Sequence, residues 1–284
     1  MLFSSMGYRI QIFRCCMFAR RISRWQLNKQ KNMASSLSGV KAVVSQQFLD
    51  HIDNKMQAFK CGAHDFAHVQ RVAGLALHIA SKEVANKPDL RVTYVAALLH
   101  DMLDSKLIEA GTEETLEKDL RTMVSKEMEN SKTEWTEANT DHVFDIVKSV
   151  GYKNMIKDDW NPQERSIEYQ CVQDSDLLDA IGSIGVARCY AFGGKRAREL
   201  FTLEDTENRA PTAEEYKNKK GGSGVEHFFE KLLLIKNLII TDTGKHIACA
   251  RHKAMVQFLD NLSTEIADVD ENASNVLTKR LKQF

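Results

Sequence analysis

The sequence predicts an all-α domain, and three observations predict it. Only 3 prolines and 14 glycines punctuate 284 residues, which leaves long uninterrupted stretches that suit helices better than many short strands. Apolar residues recur at spacings of three and four along several of those stretches. The composition, 43% hydrophobic and 27% charged, is that of a chain with one large core.

Each element follows from its own pattern. Val44, Phe48, Ile52, Met56 and Phe59 mark a first helix near 41–60, which Gly62 ends. Asp65 is placed to cap a second helix, about 66–83, whose apolar stripe is Val69, Val72, Leu75, Ala76 and Ile79. Pro88 opens a third helix. Its segment Val92-Thr93-Tyr94-Val95-Ala96-Ala97-Leu98-Leu99 is apolar nearly all round, so it is expected to be buried on most sides, and it ends in His100-Asp101. Residues 112–150 alternate charge with Leu116, Leu120, Val124, Val143, Ile146 and Val147, as two surface helices do, and 151–167 read as a loop. One helix is expected over 168–192, and a closing pair over about 225–240 and 243–265. Lys217–Gly224 has linker composition, giving an expected mobile segment near 205–224.

Charge is uneven along the chain. Residues 1–49 hold eight Lys or Arg and no acid, leaving 31 basic against 39 acidic residues in the remainder, a net of −8. An acidic body lacks the basic face that nucleic-acid phosphates require. No run of 18 uncharged apolar residues is present to span a membrane. Residues 1–40 are set apart as a basic leader, disordered or targeting, with Met33 as an alternative start and 41–284 as the folded domain. The expected location is cytoplasmic, with mitochondrial as the alternative if residues 1–32 act as a presequence. Six cysteines without C-x-x-C spacing read as buried thiols in a reducing compartment.

The chemistry concentrates in three places. A buried helix that ends in adjacent His100 and Asp101 is anomalous, because buried carboxylates are paired or bound to a metal. His68 lies in the first turn of its helix. Asp174, Asp176 and Asp179 crowd a helix that otherwise reads as core. Imidazole and carboxylate ligands from three helices, His68, His100, Asp101 and Asp176, suit one divalent transition metal with open positions. Mn2+ is the expected ion, with Co2+, Fe2+, Ni2+, Zn2+ and Mg2+ as alternatives.

The order His68 … His100-Asp101 … Asp176 resembles the H…HD…D signature of the HD-domain superfamily of metal-dependent phosphohydrolases. Longer blocks resemble its YedJ/YpgQ group: His64-Asp65-x-x-His68-x-x-Arg71, Ala96 to Lys106, Gln173 to Gly182, and His227-Phe228-x-Glu230-Lys231 followed by Ile247-Ala248…Arg251. The likeness spans roughly 43–265. It implies an HD-domain helical bundle acting on a small phosphorylated substrate, with nucleoside triphosphates as the expected class. Ser175 and Leu177 depart from the group pattern, which puts specificity rather than chemistry in doubt.

Further residues fall around the expected metal. Asp104 is the candidate for orienting or deprotonating water or protonating the leaving oxygen, with a partner of a ligating histidine as the alternative role. Lys106 and Lys231 are candidates for neutralising phosphate, against the ordinary reading of solvated lysines. Arg71 is a candidate phosphate clamp or else an ion-pair partner of Asp176 or Asp179. His227 is a candidate substrate contact, with a capping or buried role as its alternative.

Binuclear chemistry needs additional histidines between residues 102 and 175, where the chain has only His142. A non-catalytic metal- and nucleotide-binding sensor is the other alternative. A homo-oligomer is compatible with all of these readings.

Overall fold

The computed structural model describes residues 39–58, 65–104, 108–109, 111–132, 134–155, 160–201 and 222–284. The chain divides into a unit Met1–Val43 and a unit Val44–Phe284; the fold below is that of the second. Most of the expected leader, residues 205–221 of the expected mobile segment, His64 and Lys106 lie outside the described residues.

Among the described residues the unit is all-α and contains no strand. In chain order, α1 is Gln46–Ala58, α2 Phe66–Ala80, α3 Leu90–Leu99, α4 Glu113–Asn130, α5 Glu137–Ser149, α6 Tyr152–Met155, α7 Ile167–Asp179, α8 Gly182–Lys195, α9 Gly224–His227, α10 Asp242–Ala267 and α11 Glu271–Leu281. The first helix starts later than its periodicity predicts, because the Ser45 hydroxyl accepts from the Phe48 amide at 3.2 Å and caps it there. Asp65 caps α2 as expected, its side chain accepting from the His68 amide at 2.7 Å. Asp89 does the same for α3.

The centre of the fold is the trio α2, α3 and α7, which pack on one another. Every residue of α3 from Val92 to Leu99 is buried, as its all-round apolar sequence requires. Helix α5 packs on α3 and buries Val143, Phe144, Ile146 and Val147, so it is more of a core helix than its charge suggests. Helix α10 closes the other side against α7, α8 and α11. No helix among the described residues is long and apolar enough to cross a membrane.

The expected single helix over 168–192 is two helices. The chain turns at Ala180–Ile181, and Gly182 takes a φ of +77°, a conformation that a side chain resists. Arg251 of α10 fixes the turn by donating to the Leu178 carbonyl. Gly185 then passes so close that a Cβ would lie 2.2 Å from the Ala180 carbonyl oxygen. Gly185→Ala is therefore expected to lower stability by about 3 kcal/mol through overpacking against backbone that cannot yield. Urea denaturation checks this, and an unchanged midpoint would contradict it.

The expected helix over 225–240 is also divided. It opens as α9, capped by the buried Ser223. It then widens into a π-turn over Phe228–Leu232, with the Leu233 amide bonded to the Phe228 carbonyl at 2.9 Å, and ends as a 3-10 turn over Ile235–Leu238. Of the described cysteines, Cys171 is buried, Cys189 is intermediate and Cys249 is exposed, so burial does not hold for all of them; all three are free.

Candidate metal centre

Three helix segments deliver the polar groups. His68 comes from the first turn of α2, His100 and Asp101 from the C-terminal end of α3, and Asp176 from the last turns of α7. The His68 and His100 side chains are almost fully buried, whereas 25% of the Asp176 side chain is exposed. Asp176 thus closes the cluster on the open side.

The four side chains converge on one point. His68 Nε2 lies 3.3 Å from His100 Nε2, 3.4 Å from Asp101 Oδ2 and 3.5 Å from Asp176 Oδ1. His100 Nε2 lies 3.4 Å from Asp101 Oδ2 and 3.9 Å from Asp176 Oδ1. The hydrogen bonds on the far side of each ring fix what those nitrogens present. His100 Nδ1 faces the Ala97 carbonyl at 2.8 Å, and a carbonyl can only accept, so Nδ1 carries the hydrogen. His68 Nδ1 donates in the same way to Asp179 Oδ2 at 2.7 Å. In the neutral rings both Nε2 lone pairs therefore point into the same space as two carboxylate oxygens. Four electron-rich atoms at these separations repel unless a proton or a metal cation lies among them. His68, His100 and Asp101 form a group that could hold a metal ion, and Asp176 stands beside it.

Electrostatics agree with this geometry. Burial opposes charging of the His68 ring, but hydrogen bonds to Asp101 and Asp179 outweigh it and raise the pKa to about 9. The carboxylates that draw a proton to His68 would draw a metal cation equally. Asp179 is buried, which opposes ionisation, yet hydrogen bonds from His68 and Arg71 hold its carboxyl well below the ordinary range. Arg71 grips Asp179 with its fork, Nε to Oδ1 at 2.8 Å and Nη2 to Oδ2 at 3.0 Å.

A cavity of about 230 Å³ opens from the cluster. His100, Asp101, Asp104 and Asp176 line one side, and Lys148, Arg188 and Lys231 bring positive charge to it. Gly151 and Tyr152 contribute to the wall from the segment read as a loop, and Lys231 Nζ stands 4.6 Å from the centre of the Tyr152 ring. Of the sequence candidates, Asp104 and Lys231 line the cavity, whereas Arg71 and His227 do not. The π-turn explains the parting of His227 and Lys231, because wider winding displaces residues four apart from their shared α-helical face. His142 bonds Ser166 at 2.8 Å and does not line the cavity.

Arg188 and Lys148 carry no sequence signal of their own. In an unbroken helix, Arg188 would stand about 18 Å beyond Asp176. The turn at Gly182 folds α8 back and returns Arg188 to the site, where Nη1 donates to Asp179 Oδ2 at 2.8 Å.

A model of the HD domain matches residues 65–181, which include all four convergent residues. YpgQ of Bacillus subtilis (strain 168) is 34% identical over 214 residues, spanning 74% of this chain and 88% of YpgQ. The chain belongs to the HD-domain superfamily. Among solved structures, this HD-domain protein is similar to Bacillus subtilis YpgQ in complex with ADP, with a TM-score of 0.58 and 28% identity over 79% of this chain and 98% of that one. An HD-superfamily hydrolase from Bacillus thuringiensis aligns with a TM-score of 0.55 and 27% identity over 85% of this chain and the whole of that one. The HD-superfamily hydrolase fold supports a metal-dependent phosphohydrolase in general.

Proposed function

We propose that this chain hydrolyses a small nucleotide, a nucleoside triphosphate or a similar phosphate ester or anhydride, by attack of water on phosphorus. The observation that carries the reading is the meeting of two imidazole lone pairs and two carboxylates at the mouth of a cavity edged with cations. His68, His100, Asp101 and Asp176 would hold one divalent ion, with Mn2+ the expected choice for a mixed nitrogen and oxygen set. Such an ion lowers the pKa of water and polarises a phosphoryl oxygen.

The remaining roles belong to side chains. Asp104, on the cavity wall three residues after Asp101, would orient the attacking water and accept its proton. Lys231 and Arg188 would bind phosphate oxygens, with Lys148 at the same cavity. Lys106 is proposed for the same task. Arg71 and His227 stand outside the cavity lining, and Arg71 serves the site through Asp179 instead. The ADP complex of YpgQ supports a nucleotide ligand for this chain.

A nucleotide panel with Mn2+, Co2+ and Mg2+, read by release of phosphate and pyrophosphate, tests the reading. Metal-dependent release from at least one nucleotide is expected. Tight nucleotide binding without turnover would overturn it in favour of a sensor. Lys231→Ala is expected to raise KM roughly tenfold or more, the worth of one charge-assisted hydrogen bond, while changing kcat less. An unchanged KM would remove Lys231 from the phosphate site.

A further inference from the structure

Behind the convergent side chains lies a layer of charge centred on Asp179, a carboxylate that does not line the cavity. Asp179, 2% exposed at the end of α7, accepts on Oδ2 from His68 Nδ1, Arg71 Nη2 and Arg188 Nη1, and on Oδ1 from Arg71 Nε. Its partners come from two further helices, Arg71 from α2 and Arg188 from α8. A lone carboxylate so deeply buried is unfavourable, and two guanidinium groups compensate it. The arrangement imposes a direction on His68. Both Asp179 oxygens already accept from guanidinium N–H groups, so Nδ1 is the donor at 2.7 Å, and in the neutral ring this leaves the lone pair on Nε2, aimed at Asp101, Asp176 and His100.

We propose that Asp179, clamped by Arg71 and Arg188, is the positioning group of the metal centre, fixing the tautomer and the aim of His68. The inference rests on the metal-centre reading above and assigns three residues a task outside direct ligation. Arg71 and Arg188 are not interchangeable here. Arg71 uses two donors on Asp179 and stays off the cavity, whereas Arg188 donates to Asp179 while lining the cavity. Both act on His68 through the same carboxylate, so their effects on metal binding are coupled through Asp179 and do not simply add.

The test is Mn2+ affinity of the full chain by calorimetry, alongside the melting temperature in EDTA. Asp179→Asn offers one acceptor oxygen and an amide donor where the site needs four acceptances, and is expected to weaken Mn2+ binding by about 10- to 100-fold. Arg71→Gln is expected to weaken binding by several-fold in the native background and to add nothing in the Asp179→Asn background. Arg188→Lys keeps the charge, loses the planar fork and folds if the neutral variants do not; it is expected to weaken Mn2+ binding by a few-fold. Unchanged Mn2+ affinity in Asp179→Asn, or additive losses in the double variant, would overturn the proposal, as would variants that lower only the melting temperature. If the unaltered chain binds Mn2+ and the variants bind it equally well, this inference fails and the metal-centre reading stands. If the unaltered chain binds no divalent ion, both fail.

Discussion

Asp101→Ala is expected to reduce metal-dependent turnover by about a thousandfold or more, an effect of about 4 kcal/mol on the barrier. Asp101 Oδ2 lies 3.4 Å from each of the two imidazole Nε2 atoms, so its removal takes negative charge from the centre of the cluster. The two lone pairs would then face each other with only Asp176, more exposed, to offset a cation. Helix α3 should survive the change, because Asp101 follows its last residue and its apolar body, Val92–Leu99, is untouched. Steady-state kinetics on the nucleotide that proves to be the best substrate, with circular dichroism to check folding, measures the effect. Turnover within tenfold of the unaltered protein would contradict the assignment.

The largest effect on stability is expected from a carboxylate outside the cluster. Asp174 is fully buried, two residues before Asp176, and so points from nearly the opposite side of α7. It accepts from the Ile240 amide at 2.9 Å and from the Thr241 amide and hydroxyl at 2.7 Å each. Burial pushes its pKa up to about 6 against the pull of those donors. This one side chain binds the turn that launches α10 onto α7. Asp174→Ala would leave two backbone amides buried without acceptors, at about 1–3 kcal/mol each, and is expected to cost about 3–5 kcal/mol in all. Thermal or chemical unfolding would show it, and a loss below about 1 kcal/mol would mean that water replaces the carboxylate.

Much of this organisation is legible in the sequence, and the failures share a cause. The all-round apolar run at Val92–Leu99 can only be a buried helix, so the His and Asp at its end stand out on burial grounds alone. The cap at Asp65 is a local hydrogen bond between residues three apart, which short-range rules capture. The turn at Gly182 is different. Periodicity continues through it, with Leu177, Leu178, Ile181, Ile184 and Val186, although only the first three are buried, Val186 is partly buried and Ile184 is exposed; what ends the first half is a positive φ and a donor from Arg251, far along the chain. Arg188 is hidden by the same event. The cluster Asp174, Asp176 and Asp179 shows the limit again. Helical spacing puts Asp176 and Asp179 near one face and Asp174 on the other. Only tertiary contacts tell that one joins the cluster, one holds His68, and one anchors α10. Lys231 owes its place to a π-turn, a rare winding that no hydrophobic pattern announces.

A crystal of this protein soaked in Mn2+, with anomalous scattering used to locate the ion, tests directly whether the four side chains hold a metal. A single strong peak bounded by the side chains of His68, His100, Asp101 and Asp176 is expected, with its loss in His68→Ala. A crystal with no peak there, or with manganese bound only elsewhere, would contradict it.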